Sequence, residues 1–367
     1  MVTEKINTWQ ATALLTMSII PTAILFPPAY LAQQTGRDAW FAILLAGVGG
    51  LLLAGFIVIL SSAYPEYNLL QIGEAVMGRY LGKMFTLAYA FFFIIVSAIV
   101  VREFSAFMVS SFMQFTPLEI FSAIMVSLAM YAIYLGVEVI CRVSEIVFIV
   151  VMISLLFFVF LAYPELDLRA VLPILDSGME PVFRGSITFF VWTGEIFFLS
   201  MLYPYLARPA QAWQSAVIPV AIVSLFLVVS AFITESFFGF QLTSRILFPL
   251  LDYVRLIGIA GFWERIEALV ILIWVAGIYI KVSFYMYVAV IAVKQLFGLS
   301  QYRPLILPMG ALVFILSVIM FENTFELSVF LRDVWPFFAP LFALLFPLLF
   351  YVTHILKKAF GHESNAS

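Results

Sequence analysis

Long apolar runs, separated by short polar connections, follow one another along almost the whole chain. A helix needs about 20 predominantly apolar residues to cross the hydrocarbon core of a membrane. Ten runs approach or exceed that length, at residues 10–33, 39–63, 83–114, 117–137, 141–163, 183–206, 213–240, 265–297, 304–321 and 335–357. The pattern therefore predicts an all-α integral membrane protein with ten transmembrane helices.

An even number of spans places both termini on one side of the membrane. Lys and Arg are slightly more frequent in the connections on the side of the termini, which favours a cytoplasmic location for both. We expect a single transmembrane domain over 1–367, with a first five-helix repeat at 10–163, an outer loop at 164–182, a second five-helix repeat at 183–357 and a short cytoplasmic tail at 358–367.

Two connections carry apolar residues at helical spacing. The segment 241–263 is predicted to form an interfacial or re-entrant helix, with an amphipathic linker as the alternative. The segment 65–83 is predicted to form a short helix that lies under the bundle.

The first and sixth spans are interrupted at corresponding positions of the two halves. Pro21, Pro27 and Pro28 interrupt the first, and the sixth contains "VWTGEIFF", with Gly194 and Glu195 at its centre. Helices broken at matching places are typical of transporters built from inverted repeats. For Pro21 alone, a kink tolerated in an ordinary membrane helix is the alternative.

Composition supports a membrane protein and excludes several functions. The chain is 65% hydrophobic and 11% charged, whereas soluble domains have about 25% charged residues. With a net charge of −3 and scattered basic residues, it has no patch for nucleic acid. Cys141, the single cysteine, is predicted to be a core residue. The sequence contains no metalloprotease, nucleophile-elbow or phosphate-loop motif, so we expect neither an enzyme nor a cofactor.

Five ionisable residues lie at bilayer depth, and each would cost about 2.5–3.5 kcal/mol if left unpaired at the centre of a membrane helix. They are Arg102, Glu103, Glu195, Glu235 and Lys281. Arg102 and Glu103 point about 100° apart on their helix, so one of them is expected to face an internal cavity. Glu235 lies near the outer end of its span, where a solvated and a functional position are both open.

Lys281 is too deep for its side chain to reach the membrane surface, because about 20 Å of helix separates it from the nearest charged residue on either side. It shares a helix face with Trp274, Gly277, Phe284 and Tyr285. Three interpretations stay open: an ion pair with Glu195 or Glu103, a titratable or cation-mimicking group beside a substrate site, and an incidental neutral lysine.

Four stretches carry a family resemblance: "NLLQIGEAVMGRYLGK", "VREFSAFMVSSFMQFTPLEIF", "GEIFFLSMLYPYL" and "ERIEALVILIWVAGIYIKVSFYMYVAVIAVKQLFGLS". Through them the chain resembles, over nearly its whole length, the B subunit of spore germinant receptors, a branch of the amino acid–polyamine–organocation permease superfamily. The resemblance implies a LeuT-like 5+5 inverted repeat with broken helices 1 and 6. It also implies a small-molecule germinant, commonly an amino acid, an A subunit and a lipoprotein C subunit as partners, and the inner spore membrane as the location.

The same resemblance implies a ligand site at the membrane midplane. Its candidate residues are Pro21, Thr22, Ala23, Glu103, Thr193, Gly194 and Glu195, with Tyr285 one turn from Lys281 and Lys281 itself near the cation or coupling position. The superfamily often has a Gly-x-Gly-like unwound segment in span one, where this chain has proline, which lacks a backbone donor. A different small molecule or another binding mode is therefore open. A proton-coupled amino acid or amine permease is the main alternative function, and an ion channel is a third.

Overall fold

The computed structural model describes residues 5–162, 167–256 and 266–360, and these residues are almost entirely helical. The helices are α1 (Thr8–Ala23), α2 (Pro27–Thr35), α3 (Ala39–Ser62), α4 (Leu69–Met77), α5 (Arg79–Ser111), α6 (Leu118–Leu135), α7 (Val137–Ala162), α8 (Met179–Thr193), α9 (Leu199–Leu202), α10 (Ala212–Thr243), α11 (Pro249–Leu256), α12 (Ile266–Phe297), α13 (Ile306–Ile319), α14 (Thr324–Asp333), α15 (Trp335–Pro340) and α16 (Phe346–Ala359). A π-helical stretch, Leu341–Leu345, joins α15 to α16.

The first predicted span is broken between Ala23 and Pro27, within the stretch that the sequence marks with Pro21, Pro27 and Pro28. Helix α1 continues through Pro21 to Ala23, and α2 begins at Pro27. Pro27 and Pro28 have no backbone N–H with which to bond the carbonyl groups four residues earlier. The helix must therefore stop before them, whereas Pro21 alone is tolerated.

The sixth predicted span changes its helix type where the sequence predicts a break. Helix α8 ends at Thr193, and the tighter 3-10 helix Gly194–Phe198 follows before α9. Glycine has the lowest helix propensity after proline, which favours a change of geometry at this point. The change alters the direction in which Glu195 leaves the backbone.

Short polar signals define the connecting helices. At α4, the Asn68 side chain accepts the Gln71 N–H at 3.0 Å and the Gln71 side chain accepts the Asn68 N–H at 2.9 Å, a reciprocal helix cap. Gly78, with φ 82°, then allows the direct turn into α5. The predicted helix under the bundle is present as α4. The predicted interfacial helix is present as α11, and residues 257–263 of that segment lie outside the described residues.

Helices α1 and α12 form the centre of the bundle. Every residue from Ala11 to Ala23 is buried, and so is every residue from Ile280 to Val290. Large apolar side chains are instead exposed on the outer helices, for example Leu52, Leu156 and Leu225. An apolar exterior around a buried centre is expected of a protein whose solvent is lipid.

Eight helical stretches of the described chain are long and apolar enough to cross a membrane, and nine if α13 and α14, bent by 101°, are counted together. The predicted count of ten is therefore not confirmed. Helix α1, with 16 residues, is shorter than a full span by itself. The division into two five-helix repeats stays a prediction, and residue 163 of the first repeat, residues 164–166 of the outer loop and residues 361–367 of the tail lie outside the described residues.

Both ends of the bundle are closed by contacts between distant segments. On the terminal face, defined by Ile6 and Leu206, the Ile6 N–H donates to the Tyr205 carbonyl at 2.9 Å, and the Ala207 N–H donates to the Ile6 carbonyl at 2.9 Å. On the loop face, defined by Asp38 and residues 167–178, the Asp38 carboxylate accepts the Leu175 N–H at 3.0 and 3.1 Å. Segments remote in sequence are thus joined at both ends of the bundle.

Candidate functional site

Lys281 lies at the centre of the bundle and makes three hydrogen bonds. Its Nζ donates to Thr22 Oγ1 at 2.6 Å and to Glu195 Oε1 and Oε2 at 2.8 Å each, while the residue is 1% exposed. The ammonium group has three protons, and the three acceptors match that number. Of the two candidate partners in the sequence, Glu195 is the one that forms the ion pair.

The two interrupted spans bring these groups together. Thr22 lies in the last turn of α1 and Glu195 is the second residue of the 3-10 helix, so each side chain leaves its span beside an interruption. Thr22 and Glu195 thus join the first and sixth spans to Lys281 in the middle of α12. Three elements that are remote in sequence are therefore tied at one point.

Helix α12 also supports the end of α1 one to two turns away from Lys281. Trp274 Nε1 donates to the Pro21 carbonyl at 2.8 Å, which satisfies one of the carbonyl groups left free at the helix end. A Cβ on Gly277 would lie 2.7 Å from Pro21 Cγ, so the absence of a side chain lets the proline ring pack against α12. Gly277, on the same helix face as Lys281, thus permits the close approach of the end of α1.

An aromatic wall borders the ion pair. The Tyr285 ring stacks on Phe198 with centroids 4.2 Å apart, and Lys281 Nζ lies 5.1 Å from the Tyr285 centroid, within range of a cation–π interaction. The Tyr285 hydroxyl is buried beside Glu195 and Ser18 but has no hydrogen-bond partner of normal geometry among the described residues. Its place in a ligand site stays a prediction.

Glu103 supplies a second carboxyl group to the site. It is 2% exposed, close enough to interact electrostatically with both Lys281 and Glu195, and receives no hydrogen bond from the described residues. Arg102 faces the other way, and its Nη1 donates to the Val318 carbonyl at 3.0 Å at the end of α13. Both side chains are buried, and the expectation that one of the two faces an internal cavity stays a prediction. The site thus contains one ammonium group and two carboxyl groups.

Because Arg102 caps α13 and does not touch the site, Arg102→Met is expected to reduce stability without changing the site. The loss of a charge-assisted hydrogen bond to a helix end corresponds to roughly 1–3 kcal/mol. Thermal unfolding of the purified variant measures it, with Arg102→Lys, which keeps the charge, as the control. An undiminished unfolding temperature for the methionine variant would contradict this role.

Three predicted site residues hold the spans in place without contacting the Lys281 ammonium. Thr193 Oγ1 donates to the Ala46 carbonyl of α3 at 3.0 Å, which turns its hydroxyl towards that helix. A Cβ on Gly194 would meet Phe190 and Leu53 at 3.6–3.8 Å. Ala23 is fully buried at the last position of α1. Their place in a ligand site stays a prediction.

Two cavities adjoin the site. One of about 10 Å³ is lined by Glu195 and apolar residues of α5, the sixth span and α15, and it is barely large enough for one water molecule. The other, of about 60 Å³, lies on the far side of the α1 end and is lined by Pro21, Trp274, Gly277 and apolar residues of α7, α10 and α11. Among the described residues, no group of three or more His, Cys, Asp or Glu side chains forms a metal site.

Solved structures define the class of protein. MhsT, a structure in complex with L-phenylalanine, matches 96% of this chain and 99% of its own with a TM-score of 0.63 at 13% sequence identity. Mhp1, a nucleobase-cation-symport-1 family transporter in a closed conformation with bromovinylhydantoin bound, matches 89% of this chain and 74% of its own with a TM-score of 0.62 at 12% identity. The chain therefore has the LeuT fold, as predicted.

Sequence comparison identifies the family. The model of the spore germination protein (spore permease) family matches residues 5–326, and the chain belongs to that family. Spore germination protein KB of Bacillus subtilis (strain 168) is 28% identical over 309 residues, which cover 83% of this chain and 82% of the relative. Spore germination protein YndE of the same organism is 26% identical over 321 residues, or 86% and 87%. The chain is thus an integral membrane protein of a non-enzymatic class, as the sequence predicts.

Proposed function

We propose that the chain is the B subunit of a spore germinant receptor and binds a small-molecule germinant, an amino acid, at the membrane midplane. The partners in this proposal are an A subunit and a lipoprotein C subunit in the inner spore membrane, with both termini of the chain in the cytoplasm. Membership of the spore germination family supports the role in germination. The observation that supports the site is the Lys281 ammonium, held between the two interrupted spans by Thr22 and Glu195.

The charges of the site suit a ligand with an ammonium group. Glu195 pairs with Lys281, whereas Glu103, a second buried carboxyl group, interacts with both of them electrostatically and receives no hydrogen bond from the described residues. The carboxylate of an amino acid can replace Glu195 as an acceptor of the Lys281 protons, and its ammonium can then pair with Glu103 and with the released Glu195. Since Pro21 and the two prolines at the start of α2 lack backbone donors, we assign the carboxylate to Lys281 instead of to the backbone of span one.

Ligand binding is then linked to conformation. A ligand that takes over one partner of Lys281 loosens the tie between α1, the sixth span and α12. A ligand shifts the equilibrium between two conformations only by the difference between its affinities for them. That difference therefore sets the size of the signal that can pass to the partner subunits. In this proposal the resting state is the arrangement in which Lys281 is bound to Thr22 and Glu195.

A thermal-shift screen of the purified chain tests this proposal. The twenty common amino acids are compared with matched amines that lack the carboxylate, because a bound ligand raises the unfolding temperature by mass action. We expect one or a few amino acids to stabilise the wild type, and Glu103→Gln and Glu195→Gln each to reduce the affinity at least tenfold. Full affinity in both variants would remove the two carboxyl groups from the site.

A proton-coupled amino acid or amine permease is the second candidate, and the LeuT fold shared with solved transporters favours it. Uptake of the stabilising amino acid into vesicles that contain the chain alone distinguishes the two. Binding without flux supports a receptor subunit, whereas saturable flux driven by a pH gradient supports the permease.

A further inference from the structure

Glu235 is a buried carboxyl group that the proposed germinant site does not use. It lies on α10, is 1% exposed, and neither of its carboxyl oxygens has a hydrogen-bond partner among the described residues. From the sequence, Glu235 could have been solvated because it lies near the end of its span. The structure places it in the interior of the protein. An ionised carboxylate in such a place would lack both water and a counter-ion, which costs several kcal/mol.

Among the described residues, the charged groups around Glu235 do not offer a cation. Asp38, from the 3-10 helix Gly36–Asp38, is the charged residue that acts on Glu235, and it has the same sign. Arg37 lies instead over the Phe240 ring, 5.4 Å from its centroid, and Arg255 of α11 pairs with Asp252. The surroundings therefore favour the neutral, protonated form of Glu235.

Glu235 is close to a segment that closes the loop face, which we call the cover and define as residues 167–178. Ser236, the next residue on α10, donates from its hydroxyl to the Asp167 carbonyl at 3.2 Å. Asp38 accepts the Leu175 N–H with both carboxylate oxygens. The Arg37 side chain also donates to the Leu172 carbonyl. Residues of α10 and of the 3-10 helix Gly36–Asp38 thus bind the cover.

Helix α10 is interrupted one turn beyond Glu235. Gly239 has φ 70° and ψ 157°, and Thr243 Oγ1 replaces missing backbone bonds by donating to the Gly239 and Thr234 carbonyls at 2.9 and 3.2 Å. A helix interrupted at this level can tilt its last turns without disturbing the buried remainder. Lifting the cover from α10 would let water reach Glu235.

We propose that Glu235 is a proton-binding site of the loop face, protonated while the cover is seated and ionised when the cover lifts. The proton stabilises the seated cover because the carboxyl group is tolerated there only in its neutral form. At low pH, Glu235 is protonated whether or not the cover is seated, so the seated cover has its full stability. As the pH rises through the range in which the exposed form ionises, the seated cover loses stability by up to tenfold per pH unit for one proton. This proposal is independent of the germinant site.

Hydrogen exchange of the cover, measured by mass spectrometry on the full chain in nanodiscs, tests the proposal. Protection factors of residues 167–178, corrected for intrinsic exchange, are compared between wild type and Glu235→Gln at matched pH values. We expect the wild-type protection to fall with pH by up to tenfold per unit, and the glutamine variant, which mimics the protonated form, to stay protected throughout. If protection of the cover in the glutamine variant falls with pH as steeply as in the wild type, the proposal is overturned.

Two further measurements distinguish proton binding at Glu235 from a general effect of charge on this face and from binding of a metal cation. Glu180→Gln is the matched control, because that carboxyl is on α8 at the same face and its side chain is 72% exposed, so its pH profile should equal that of the wild type.

The unfolding temperature of Glu235→Gln should equal or exceed that of the wild type; a clear decrease would mean that Glu235 is ionised and would refute the proposal. Protection that rises with Na⁺ or K⁺ at constant pH and ionic strength, only when Glu235 is present, would identify a metal cation site instead.

Discussion

Replacing Lys281 by methionine is expected to lower the free energy of unfolding by about 3–5 kcal/mol and to abolish the response to the germinant. Methionine keeps most of the length of the side chain but removes the ammonium that donates to Thr22 and Glu195. The Glu195 carboxyl is then buried without its counter-ion. Thermal unfolding and ligand-induced stabilisation of the same purified variant measure the two losses.

The double variant Lys281→Met/Glu195→Gln separates the two effects. Removing both partners of a buried ion pair is often neutral or stabilising, whereas removing one leaves an uncompensated charge. We expect the double variant to regain at least half of the lost stability while remaining unresponsive to ligand. A double variant as unstable as the single one, or a fully stable and responsive Lys281→Met, would show that the ion pair contributes neither to the fold nor to the site.

Gly277→Ala is expected to destabilise the protein by about 1–3 kcal/mol and to weaken ligand binding. The added Cβ would lie 2.7 Å from Pro21 Cγ, and a proline ring cannot rotate out of the way. The end of α1 must then move, which lengthens the bond between Trp274 and the Pro21 carbonyl and shifts Thr22 away from Lys281. Unfolding temperature and ligand affinity are the measurements.

Gly194→Ala is the matched control for this substitution. It also adds one methyl group to a glycine beside an interrupted span, but its Cβ would meet neighbouring atoms at 3.6 Å or more, an ordinary van der Waals distance. We expect a change in stability below about 1 kcal/mol. If both alanine variants behave alike, the contact with Pro21 does not position the site.

Most of the spans could be located from the sequence, because apolar runs of this length have few alternatives to a membrane helix. The predicted spans 39–63, 117–137 and 213–240 each match one helix within a few residues. The break in the first span lies between two of the predicted interrupting prolines, Pro21 and Pro27, but the sequence alone could not show which proline ends the helix, because that depends on which backbone bonds are lost. Trp274 was predicted to share the face of Lys281, but its bond to the Pro21 carbonyl was not, since nothing in a local pattern indicates a partner 253 residues away.

The sequence by itself determined that this protein lies in a membrane, that its first and sixth spans are interrupted, and that a lysine in the middle of α12 must face the interior. Those conclusions depend on hydrophobicity and backbone chemistry, which are local. Only the tertiary structure decided that Glu195 and Thr22 bind the lysine, that Arg102 instead caps α13, and that Glu235 is buried without a partner among the described residues. Pairing of charges depends on distances between helices that are remote in sequence, and only packing sets those distances.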